Sequence, residues 1–303
     1  MPFRRRQSGL SLIELMIAMA LGMGVAVASL ALLQVARASY VAVNDNALVQ
    51  DTGRYALDVL ARAIRQANYV PYDSQAFMAP PAFDLTQLSP GVEGIDNSHL
   101  SSHTAALLAP RANTDNHGSD VLALRYFGSG DKAEADGSIL NCAGFAVAAP
   151  ASPAMVATAA GAEAERHWSI FYVAADSTGE PELRCKYRTK NDGWHSTAIA
   201  RGVEAFQVLY GIGDMVGGPI TQYRNAARMS ASTWRQVVAI RIAILIRGEQ
   251  RSSNGATDQV YDLFGPGYRD SLDPGVTISA FQLPDRIRKQ FQITVQLRNP
   301  IPT

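Results

Sequence analysis

Glu14 is the one charged residue between Arg6 and Arg37, and it heads 19 uncharged residues running from Leu15 to Leu33. At about 1.5 Å per residue, that run nearly crosses a hydrocarbon core of roughly 30 Å. Holding a carboxylate in such a segment costs about 2.5–3.5 kcal/mol on insertion scales, so Glu14 calls for an opposite charge as its partner. The alternative is a glutamate that snorkels from the first helical turn to the cytoplasmic interface. Arg4, Arg5 and Arg6 lie just before the run, which keeps the amino terminus cytoplasmic and sends the rest of the chain outward. An ordinary secretory signal is cut after its apolar region at a small-residue motif, and Ala26–Ala28 and Ala36–Ala38 both offer one. The other cut lies before the run, at Gly9, and would make Leu10 the first mature residue.

The remaining reactive residue types are sparse. Cys142 and Cys185 both fall on the exported side, where an oxidising compartment favours a disulfide; two separate buried thiols are the alternative. Two cysteines without a neighbouring Cys or His pair do not fill a zinc site. His99 and His103 are four apart but lack the glutamate of a zinc-protease helix, so they read as a polar loop. Gly211, Gly213 and Gly217 miss both nucleotide-loop spacings and read as a turn. Asp131, Glu134 and Asp136 could approach calcium but lack the ligand ladder of an EF-hand. No nucleophile elbow is present. The expectation is therefore no catalytic residue, no metal and no cofactor. With residues 1–9 removed, 24 basic residues face 27 acidic ones, scattered rather than clustered, and no nucleic-acid partner is expected.

These residues need elements to position them. The helical pattern continues past the membrane run: residues 41–67 hold no proline, and Leu57, Leu60, Ala61, Ile64 and Ala67 share one face. Arg54, Asp58, Arg62 and Arg65 occupy the other side, and Pro71 limits the run. The pattern predicts one helix over about residues 11–68, roughly 85 Å long. Gly22, Gly24 and Gly53 each weaken it by about 1 kcal/mol relative to alanine, which allows local bending; close helix packing is the other reading for the first two. Residues 72–118 read as a long surface excursion with at most short helices. Strands are expected over 118–126, 168–173, 182–188 and 206–210, and most clearly over 237–247 and 287–298. In the last, Phe291, Ile293, Val295 and Leu297 alternate with polar residues. The alanine-rich stretch 146–164 and residues 249–285 read as connections and surface loops.

The segment Gly9-Leu10-Ser11-Leu12-Ile13-Glu14 behind a basic leader resembles the class III signal of type IV prepilins. The resemblance implies that a membrane prepilin peptidase cuts after Gly9 and methylates Leu10, where major pilins more commonly carry Phe. It also implies that Glu14 serves subunit assembly, pairing with the amino-terminal amine of a neighbouring subunit or of its own helix. Residues 54–69, 118–126 (Gly-Ser-Asp-Val-Leu-Ala-Leu-Arg-Tyr) and 202–210 (Gly-Val-Glu-Ala-Phe-Gln-Val-Leu-Tyr) resemble PilW-type minor pilins. Large pseudopilins of type II secretion resemble the chain in the same places.

The expected fold is α+β and pilin-like, a long amino-terminal helix packed on a predominantly antiparallel sheet head. Residues 1–9 form the leader, 10–36 the transmembrane and assembly helix, 37–70 its amphipathic half, and 71–303 the periplasmic β-rich head. The implied function is a minor pilin that helps initiate and cap type IV pilus assembly within a tip complex. Its implied partners are other minor pilins, the major pilin, the inner membrane and the pilus assembly platform. A minor pseudopilin of type II secretion is the alternative within the class, and a membrane-anchored periplasmic enzyme or carbohydrate-binding domain the alternative outside it.

Overall fold

A computed structural model describes residues 11–78, 83–98, 100, 117–131, 134–189, 193–213, 218–252, 259–269, 271–279 and 282–299. Its first element, α1, is a continuous helix from Leu12 to Gln66, 55 residues and about 80 Å long. A capping box starts it: Ser11 Oγ accepts the Ile13 N–H, and Glu14 Oε2 accepts the Ser11 N–H at 2.9 Å. Ala67 ends it, followed by Asn68 with φ 63°. The first half of α1 is exposed throughout, and burial begins at Asp45 and recurs at Val49, Gly53, Ala56, Leu60, Ala61, Ala63 and Ile64. The helix runs through Gly53 unbroken.

Two antiparallel sheets receive its buried face. The first is a meander of β1 (Val92–Ile95), β2 (Val121–Tyr126), β3 (His167–Ala175), β4 (Pro181–Arg188) and β5 (Trp194–Arg201), in that order. A short helix, α2 (Ala159–Glu165), lies in the connection from β2 to β3. The second sheet uses β6 (Val203–Ile212), β7 (Gln222–Arg224), β8 (Val237–Arg247) and β11 (Arg288–Gln296) in the order β11-β8-β6-β7; β9 (Tyr261–Asp262) and β10 (Thr277–Ile278) pair as a separate ribbon. The chain passes from one sheet to the other through Gly202 alone, at φ 78°, and a side chain there would run into the Arg247 carbonyl. Only glycine takes that backbone conformation at no steric cost.

The long helix lies across both sheets, touching β2, β5, β8 and β11. Its Leu60 and Ile64 join one core with Leu122, Phe171, Leu183, Phe206, Ile240, Ile242, Ile244 and Ile246. The antiparallel sheet head expected from the alternating segments is present, divided into two layers where one was anticipated. Both faces of β8 are buried. Ile240, Ile242, Ile244 and Ile246 face the helix core, while Ala243 and Leu245 pack with Ala205, Leu209, Tyr261, Leu263, Phe264, Val276 and Ile278. The segment read as surface loops over 249–285 thus folds back through β9 and β10 to cover the second sheet. Likewise, the 72–118 excursion supplies edge strand β1 and buries Phe77 and Leu88 against Phe127, Val156 and Ala162. Arg125 holds that edge: it bonds the Pro90 carbonyl and Glu93, and stacks 4.0 Å from the Trp168 ring.

Candidate functional site

The most unusual surface of the molecule is the first half of α1. Leu12, Ile13, Leu15, Met16, Ile17, Met19, Leu21, Met23 and the apolar residues up to Val35 are exposed, and the head covers none of them. The helix is long and apolar enough to cross a membrane. Among the described residues, nothing beyond their own turns of helix stands within 4 Å of where a Cβ would be on Gly22 or Gly24, so their bare backbone is offered outward. Gly9 and Leu10 lie outside the described residues. Glu14 is described, and its carboxylate is engaged by its own chain through the Ser11 amide.

A surface of this kind works only if the head is fixed to the second half of the helix, and three contacts do that. Asp45, buried on α1, accepts the amides of Glu249 at 3.1 Å and Gln250 at 3.4 Å and the Ser252 hydroxyl at 2.5 Å. Gly53 lies directly under the Phe291 ring of β11, leaving no room for a Cβ. Asn299 Nδ2 donates to the carbonyls of Arg65 at 3.2 Å and Ala67 at 3.4 Å, which the helix end leaves unpaired. None of the three was read from the sequence. Asp45 had a signal, since it stands four residues before Val49 and eight before Gly53, on the buried stripe.

A largely buried ion network ties β6, β8 and the start of β11 to the turn between β3 and β4. Glu204 receives Arg247 at 3.0 Å and Arg288 at 2.7 Å; Glu180 receives Arg247 and Arg286, each at 2.9 Å. Burial pushes the Glu180 carboxyl up, but the guanidiniums of Arg247, Arg286 and Arg201 outweigh it and hold the pKa below its ordinary value. Cys142, in the connection before β3, is bonded to Cys185 of β4, with Cα atoms 6.1 Å apart across 43 positions.

The other residues singled out from sequence fall apart as sites. His99, His103 and Gly217 lie outside the described residues. Gly211, read as part of a turn, lies within β6 against Ile220, Tyr223 and Ala239. Asp131 and Glu134 close a tight turn by a backbone bond of 2.9 Å. Asp136 spends one oxygen on Ser129 Oγ and the Ser138 amide, and those hydrogen bonds hold its pKa below the usual range.

The chain matches two family profiles. Residues 4–30 match the prokaryotic N-terminal methylation motif, and residues 170–299 match type IV pilus-assembly protein W. The two matches together support a PilW-like type IV minor pilin. The second match starts within β3 and ends at Asn299, so it spans the whole second sheet and the Asn299 contact to α1. Among solved structures, the pilin is similar to a type IV-like pilin from Thermus thermophilus, at 17% identity over 84% of this chain and 98% of that chain, with a TM-score of 0.40. No curated protein matches it. A pilin with this amino terminus is a substrate of the prepilin peptidase and a membrane-anchored subunit of a system that contains other pilins.

Proposed function

We propose that this pilin helps initiate and cap type IV pilus assembly as part of a tip or priming complex. The observation that carries the reading is the apolar half of α1, which the head leaves entirely uncovered and which holds a single carboxylate. Such a helix is stable in two surroundings, a bilayer and a bundle of similar helices. Before assembly it spans the inner membrane with its amino terminus cytoplasmic, as the Arg4–Arg6 leader supports. Afterwards it stands in the fibre core. Prepilin peptidase cuts after Gly9, and Leu10 carries the methylated amine.

Glu14 distinguishes the two states. In the single chain it caps its own helix by accepting the Ser11 amide. In the bundle it pairs with the Leu10 amine of a neighbour, and the opposite charge offsets part of the desolvation cost of both ions. The mass of the mature amino terminus tests the processing: loss of residues 1–9 with one added methyl is expected, and an intact leader or a cut near Ala28 or Ala38 overturns it. Glu14→Ala tests the assembly role. It should leave the cut intact and reduce both incorporation into fibres and recovery with other minor pilins; normal piliation would count against the charge pair.

A further inference from the structure

On β11 a lysine stands where the helix-facing stripe would continue apolar. Phe291, Ile293, Val295 and Leu297 alternate along the chain and Phe291 lies over Gly53 of α1, so Lys289, two residues earlier, shares their face. The strand runs in the same direction as α1, because Phe291 meets Gly53 and Asn299 meets Arg65. Lys289 therefore stands on the side of the exposed apolar half of the helix. There, between α1 and the start of β11, the chain leaves a cleft of about 440 Å³. Ala42, Val43 and Ile287 give it apolar surface, and Arg286, Arg288 and Lys289 give it charge; among the described residues no carboxylate lines it.

Positive charge is in surplus at this cleft. Three guanidiniums, those of Arg247, Arg286 and Arg288, share the two carboxylates of Glu180 and Glu204. Arg288 is fully used, since both Glu204 oxygens and the carbonyls of Gln282 and Leu283 take its N–H groups. Arg286 commits only Nη1, to Glu180 at 2.9 Å and the Gly248 carbonyl at 3.5 Å. Lys289 makes no ion pair among the described residues, and Asp285, the acidic residue nearest to it in sequence, is paired with Arg251 at 3.2 Å.

The cleft also stands close to where α1 leaves its apolar half. Ala36 is the last residue of the uncharged run, and Ala42 follows six residues later, about 9 Å along the helix. A headgroup layer extends roughly 5–8 Å beyond the hydrocarbon core, and the field of an anionic leaflet decays over about 8–10 Å. Tyr40, 74% exposed, and Val43, 67% exposed, carry the uncovered surface across that interval. Tyrosine is a residue type enriched at the headgroup level.

We propose that this cleft takes the phosphate headgroup of an anionic phospholipid from the leaflet on the head's side, with Lys289 and Arg286 as the cations that hold it. The inference rests on the reading of α1 as a membrane-spanning helix. Two observations favour a lipid over a protein partner: the cleft continues the lipid-facing surface of the same helix, and its charged lining is cationic throughout. One bound lipid would hold the head against the bilayer until the helix leaves it.

Full-length protein reconstituted into nanodiscs tests this, using phosphatidylcholine alone or an equal mixture with phosphatidylglycerol. Native mass spectrometry of the released protein counts the lipids it retains. One phosphatidylglycerol per chain is expected, retained in preference to phosphatidylcholine. Lys289→Gln should cut that preference about fivefold. It breaks no ion pair among the described residues, so its urea midpoint should match the wild type. Arg54→Gln, an exposed cation farther along α1, should leave the preference unchanged, and inorganic phosphate should not displace the lipid. Equal retention of the two lipids overturns the proposal, as do displacement by inorganic phosphate and an equal loss in both variants. A chain that enters neither disc overturns the membrane reading with it, whereas a chain that enters both without preference overturns this inference alone.

Discussion

A methyl group on Gly53 would run into the ring of Phe291, and the outcome of adding one is a contest of two known effects. Alanine gains about 1 kcal/mol in helix propensity over glycine. Overpacking a filled site costs about 1–3 kcal/mol, and the ring, only half-buried on β11, yields part of that by swinging aside. The expected net is a loss of about 1 kcal/mol for Gly53→Ala, read by urea denaturation of the full chain. In a Phe291→Leu background the same change should turn neutral or stabilising. A stabilised Gly53→Ala single variant would show that the ring does not need the glycine. The sequence showed Gly53 as a weak point in a helix, and the Phe291 alternation as a buried strand face. Neither signal said that one was shaped for the other, since they lie in elements far apart along the chain.

At the level of elements, the disulfide joins the loop before β3 to the interior strand β4, and it closes a loop across 43 positions. In the chain-entropy account a loop of that length restricts the unfolded state by about 4 kcal/mol as a ceiling. The Cys142→Ser, Cys185→Ser double variant should therefore denature at lower urea than the oxidised protein, and reductant should lower the oxidised protein to the same midpoint. Coincident curves with and without reductant would remove the bond from the stability of the head. β8 and β11 were legible because eleven and nine residues carry a sustained period of two. β1 was not, being four residues with a glycine that clears the Tyr210 hydroxyl. β5 was not either, because Trp-His-Ser-Thr-Ala-Ile-Ala-Arg lies largely exposed and lacks a clear apolar face. The β9–β10 ribbon offers only two paired residues per strand, and its Leu263, Phe264 and Val276 gain their burial from β6 and β8. Short strands take their stability from the partner they meet, which local pattern does not reveal.

At the scale of the molecule, one helix carries both an exposed apolar half and the buried spine of the head. If the pilin spans the inner membrane with its head outside, protease added to spheroplasts should degrade the head and leave a protected fragment from the amino terminus to about Arg37. Protection of the whole chain would reverse the proposed orientation. The sequence by itself determined the prepilin-like motif, the helix and the long strands, because the motif and the hydrophobic period are written within a few dozen consecutive residues. Only the tertiary structure decided how the strands divide into two sheets at Gly202, and what Asp45 and Asp96 do. Asp45 and Glu249 are 204 positions apart, and Asp96 and Ala226 are 130 apart. A polar side chain that is costly alone becomes useful only when a distant backbone amide or another charge arrives beside it, and no local pattern announces that arrival.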